Sequence, residues 1–130
     1  VLTDSLKESL SSKEIQTIKV PMITLGDLSE QHNLKGKIKF IKIDVQGYEL
    51  PVLQGMKEIL KENEDAKICL EYAPDVMEEM GFMADDIFEF FSDYKTYLVT
   101  RSKLDEFDVE TQINDLKKEY VDFLFSKTKI

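Results

Sequence analysis

The sequence predicts an α/β domain organised around one parallel strand–helix–strand crossover. Residues 38–45 hold Ile38, Phe40, Ile41, Ile43 and Val45, a short β-branched and aromatic run of the kind buried on both faces of a sheet. From Tyr48 the apolar spacing lengthens to three and four residues through Leu50, Leu53, Met56 and Leu60, which is helical, and Pro51 is tolerated there only in a first turn. Residues 67–72, with Ile68, Cys69 and Leu70, return to a buried-strand pattern before Ala73 and Pro74. Two strands joined by such a helix run parallel, with a right-handed connection.

The remaining elements follow in chain order. Residues 1–17 are polar with weak apolar spacing and read as a leader or connecting segment, leaving 18–130 as the domain. Ile18, Val20 and Ile23 form a short edge strand interrupted by Pro21. Thr24, with Asp27 three residues later, opens a short helix to about Gln31, and a turn around Gly36 leads into the central strand at 38–45. The helix from Tyr48 then runs unbroken to about Glu62. Beyond the second strand, 75–80 form a short helix stopped by Gly81, and 84–93 a longer one using Ile87, Phe88, Phe90 and Phe91. Residues 94–100 make a third strand and the aromatic-rich 120–126 a fourth. Between them, 101–118 are acidic, with Val109, Ile113 and Leu116 at helical spacing and 105–110 as a solvated loop.

Composition narrows the partners. The net charge of -9 is uneven, with 15 acids against 8 bases after residue 65. With no basic stripe to neutralise a phosphate backbone, nucleic acid is excluded as a partner, and anionic membrane surfaces are disfavoured for the same reason. No apolar run approaches the roughly 18 residues that span a bilayer, and the first ten residues have no signal-peptide pattern, so a cytoplasmic location is expected. Cys69, the single cysteine, reads as a core thiol. His32 falls in a polar turn with no second histidine or cysteine near it, so no metal site is expected.

The distinctive stretch is 41–56. An apolar strand ends in Lys42-Ile43-Asp44, the chain passes through Gly47-Tyr48-Glu49, and a helix follows bearing Val52-Leu53-Gln54-Gly55. This order resembles the signature of the FkbM family of S-adenosylmethionine-dependent methyltransferases. Upstream, residues 20–28 are similar to the family's Val-x-x-x-Thr-Leu-Asp-x-Leu box, with Gly26 standing where the family usually has Asp. Leu70-Glu71-Tyr72 is similar to its strand ending in Glu. The resemblance covers about residues 18–126.

The resemblance implies a partial Rossmann-like methyltransferase fold. The four strands would be the fourth to seventh of a doubly wound, mostly parallel sheet whose last strand is antiparallel. It also implies methyl transfer from S-adenosylmethionine to an oxygen of a small molecule or sugar. The five glycines include no Gly-x-Gly to receive the cofactor's methionine end, so the chain is expected to be a truncated and inactive portion of such an enzyme. Ligands in open α/β sheets lie beyond the carboxyl ends of the strands, where Asp44, Val45, Gln46 and Gly47 would meet the cofactor. Asp44 would favour the positive charge of the sulfonium and amine end or orient the methyl-accepting nucleophile. Glu49 would either bind the acceptor, with Asp44 in the catalytic pair, or cap its helix. Glu71, at the next strand end, would line the same mouth and contact the acceptor.

Plainer readings stand beside these. Asp44 could be a turn-former and Glu71 a surface carboxylate, and Lys37, Lys39 and Lys42 carry no assigned chemistry. The Phe88, Phe90 and Phe91 cluster and Met77, Met80 and Met83 are core packing, with an acceptor lid the alternative for the methionines. A different class of function is a non-catalytic binding or assembly module, in which the open edge of residues 38–44 pairs with a second copy or a partner chain.

Overall fold

A computed structural model describes residues 18–116 and 119–130, so the segment 1–17 read as a leader lies outside the described residues. Helix α1 (Leu25–His32) begins where Thr24 and Asp27 form a reciprocal capping box: Thr24 Oγ1 accepts the Asp27 N–H at 3.0 Å, and Asp27 Oδ2 accepts the Thr24 N–H at 3.4 Å. His32, expected in the following turn, is instead the last residue of α1 and is exposed. No strand forms at 18–23. Ile18, Val20 and Met22 are exposed there and no ladder partner lies beside them among the described residues, so β-branched composition alone did not make a strand.

The crossover is present as β1 (Phe40–Ile43), two short helices, and β2 (Lys67–Tyr72), with β1 and β2 parallel and Ile41 opposite Ile68. The expected single helix is broken into α2 (Glu49–Gln54) and α3 (Lys57–Glu62). The break has a physical cause: the Gly55 carbonyl accepts the Gly26 N–H of α1 at 3.3 Å, while the Met56 N–H bonds Leu53 in a tightened last turn. Helix α4 (Pro74–Glu79) follows close to its expected limits, and α5 (Asp86–Phe90) is shorter than the 84–93 that the sequence pattern allowed. Strand β3 (Lys95–Val99) then pairs with β4 (Leu104–Glu106) across a turn in which Thr100 and Lys103 bond each other. That hairpin replaces the solvated loop expected at 105–110, and only α6 (Val109–Gln112) and a 3-10 turn (Ile113–Leu116) realise the helical spacing beyond it. Strand β5 (Val121–Ser126) closes the described chain.

The five strands form one mixed sheet in the order β1-β2-β5-β3-β4. The last strand, β5, runs antiparallel to both β2 and β3, as expected, so β1, β2 and β3 point the same way. Three of the four expected strands thus share one direction, and the strand the sequence did not announce, β4, pairs antiparallel with β3 in the five-stranded mixed sheet. Strand β1, expected to be central and buried on both faces, is an edge within the described sheet, with Phe40 58% exposed. Ladder alternation sends Ile68, Leu70, Tyr72, Phe123 and Phe125 into the main core with Leu53, Met56, Ile59, Met77, Ile87 and Phe91 from the helices and their caps. Each such fully buried side chain contributes about 1.5–3 kcal/mol. Phe91 stacks on Phe125 at 4.0 Å, and Phe88 meets Phe123 edge-on at 5.3 Å. The opposite face carries a smaller cluster of Cys69, Tyr97 and Leu124. Among the described residues, no helix is long and apolar enough to cross a membrane.

Candidate functional site

Because β1 and β2 are parallel and β5 antiparallel, the carboxyl ends of the first two strands and the amino end of the third share one border of the sheet. Glu71 and Asp122 face each other across the β2–β5 ladder, and Asp44 follows directly on β1. The turn after β1 bends sharply. Gln46 has φ 53 and Gly47 φ 92, conformations that a side chain disfavours and that glycine accepts freely. At Gly47 a Cβ would stand 2.8 Å from both the Val76 carbonyl oxygen and its Cγ1, so α4 packs directly onto the turn. Tyr48 adds an edge-on contact with Phe82 at 5.6 Å.

The six expected residues divide into three groups. Asp44, Gln46 and Glu71 come together: the Gln46 side-chain amide donates to Asp44 Oδ1 at 3.2 Å and to Glu71 Oε2 at 3.0 Å. Val45 is exposed and Gly47 buried within the turn. Glu49 is wholly buried, at 0% exposure, and its Oε1 accepts the N–H groups of Val45 at 3.2 Å and Gly47 at 3.3 Å. Among the described residues its Oε2 has no hydrogen-bond partner, an arrangement that costs about 1–3 kcal/mol for a buried polar atom. Glu49 therefore contacts the turn from within the fold.

Two further residues belong to this border. Lys42 Nζ pairs with Asp122 Oδ1 in a half-exposed ion pair, although Lys42 carried no assigned role and Asp122 was hidden in an aromatic run. Only the β2–β5 register brings Asp122 beside Glu71, and no local pattern could have signalled it. Burial raises the Glu71 carboxyl above the usual carboxylate range, the charges of Asp44 and Asp122 raise it further, and Lys42 partly opposes them. For Lys42, burial pulls the ammonium down, but its bond to Asp122 and the surrounding negative charge outweigh that and raise it. The Cys69 thiol is pushed up by burial, as a core cysteine should be.

The methionine group splits. Met77 is in the core, Met80 packs near Gly47, and Met83 is exposed. A hollow of about 540 Å3 opens beside the site, walled by Ile41, Ile43, Val45, Tyr48 and Pro51 on one side and Met22 to Leu25 on the other. Among the described residues no group of three histidine, cysteine or acidic side chains could hold a metal. The donor set at the strand ends, two carboxylates bridged by an amide with an apolar hollow alongside, suits a cationic group carried on an apolar body.

Comparison with known proteins narrows this chemistry. No curated protein and no solved structure matches the chain. The profile of the methyltransferase FkbM domain matches residues 2–117, a span that takes in the strand-end turn, both crossover strands, and most of the segment read as a leader. With that match over most of its length, and with an acidic strand-end site where such folds bind ligand, the chain belongs to the FkbM methyltransferase family.

Proposed function

We propose that this domain takes part in S-adenosylmethionine-dependent methyl transfer to an oxygen of a small molecule or sugar. Family membership supports the methyltransferase class, and the observation that carries the site is the Gln46 amide bridging Asp44 and Glu71 at the carboxyl ends of β1 and β2. When bound, S-adenosylmethionine supplies an electrophilic methyl carbon. Asp44, exposed after β1, offers the carboxylate that favours the cofactor's cationic end. Val45, Gln46 and Gly47 supply the backbone that approaches it. Glu71, half-buried beside Asp122, orients the acceptor. Gln46 keeps the two carboxylates in register, and Lys42 offsets part of their mutual repulsion through Asp122. The 130 residues contain no Gly-x-Gly loop, so we propose that they do not turn over alone.

The test is calorimetric titration of S-adenosylhomocysteine into this chain and into the product of the complete reading frame that contains it. Micromolar binding by the complete product, weakened about tenfold or more by Asp44→Asn, is the expected result. No binding by the complete product refutes the reading. The alternative, an assembly module, draws support from one observation: β1 has a single ladder partner among the described residues and exposes Phe40 at its start. Sedimentation that gives a dimer for the native chain and a monomer for Phe40→Lys, with no ligand binding, would favour it.

A further inference from the structure

The turn that presents Asp44 and Gln46 is held from beneath by a fully buried side chain. Glu49 Oε1 accepts the N–H of Val45 and the N–H of Gly47, the two amides flanking Gln46. Between them Gln46 stands at φ 53, where a residue with a side chain stays only when its surroundings hold it. From that backbone its side chain reaches Asp44 and Glu71 together. Among the described residues Oε2 has no hydrogen-bond partner, so a single oxygen serves both amides. We propose that Glu49 is a positioning residue. It clamps the turn, fixes Gln46 in its left-handed conformation, and through Gln46 sets the spacing of the Asp44 and Glu71 carboxylates. The consequence for ligand rests on the methyltransferase reading, whereas the clamp itself rests on the geometry alone.

Three variants of the complete protein test this. Glu49→Leu removes both acceptor oxygens while keeping an apolar body in a buried position, and Glu49→Asp withdraws the carboxylate by one methylene. Glu49→Gln keeps an acceptor oxygen within reach of both amides. Nuclear magnetic resonance reads the solvent exchange of the Val45 and Gly47 amides and the side-chain amide signals of Gln46, and S-adenosylhomocysteine titration reads the ligand. In Glu49→Leu, or in Glu49→Asp should the leucine variant fail to fold, exchange at both amides rises about tenfold or more and the Gln46 side-chain signals move to free-amide positions. Ligand affinity falls by a similar factor. Glu49→Gln stays within about threefold of the native protein in all three measurements. A folded Glu49→Leu or Glu49→Asp protein whose Gln46 signals are unmoved overturns the proposal. If the native protein binds no ligand, the methyltransferase reading falls, and the exchange and Gln46 signals still decide the clamp.

Discussion

Gly47→Ala is the sharpest test of how the strand-end turn is built. At φ 92 an alanine pays for left-handed backbone geometry, about 1–2 kcal/mol. Its Cβ would also lie 2.8 Å from the Val76 carbonyl oxygen, 2.8 Å from Val76 Cγ1 and 3.0 Å from Met80 Cγ. The methionine can swing aside, but the carbonyl belongs to helix α4 and moves only with it, so relieving the overlap adds about 1–3 kcal/mol. The sum is about 2–5 kcal/mol, and with a urea slope near 2 kcal/mol per molar the unfolding midpoint falls by about 1–2.5 M. Gly36→Ala is the matched control, because Gly36 has φ 68 and, among the described residues, nothing within 4 Å of its missing Cβ. It bears the backbone cost alone, about 1–2 kcal/mol. Urea titration of both variants by circular dichroism decides the matter. Equal losses at the two positions would refute the close approach of α4 to the turn.

Two further predictions concern the cap of α1 and the carboxyl end of β2. Thr24→Ala deletes one half of the capping box on α1 and should lower stability by about 0.5–2 kcal/mol, whereas Thr24→Ser should cost far less; indistinguishable melting curves for the two would show that the cap contributes nothing. The Glu71 carboxyl is raised in the folded chain by burial and by Asp44 and Asp122. Its contribution to stability is therefore complete below the ordinary carboxylate range and is lost as pH rises through the higher folded value. Glu71→Gln keeps an acceptor for Gln46 and removes that loss, so its melting temperature should gain on the native protein between about pH 3 and pH 7. Parallel pH profiles for the two proteins would contradict the electrostatic assignment.

Much of the fold was legible because short-range signals carried it. Thr24 and Asp27 announced a helix start, Pro51 a first turn, and the runs at 40–43, 67–72 and 121–126 became strands close to their expected limits. The order Lys42-Ile43-Asp44 to Gly55 was distinctive enough to point to the family that the profile match then showed. Where the reading failed, the deciding interaction came from elsewhere in the chain. The helix at 48–62 broke because Gly26 claims the Gly55 carbonyl, and the polar Leu104–Glu106 became a strand because β3 offered it a ladder.

The site divides in the same way. Amino-acid order by itself determined that an aspartate follows β1, that a glycine permits the bend after it, and that a glutamate opens the next helix, since these are properties of neighbours in the chain. Only the tertiary structure decided that Glu49 turns inward onto the Val45 and Gly47 amides and that Asp122 lies beside Glu71. It alone brought Gln46 between two carboxylates 27 positions apart, from Asp44 to Glu71. Those facts depend on strand register and on which side chains the packed core leaves room for, and neither is written in any local stretch of residues.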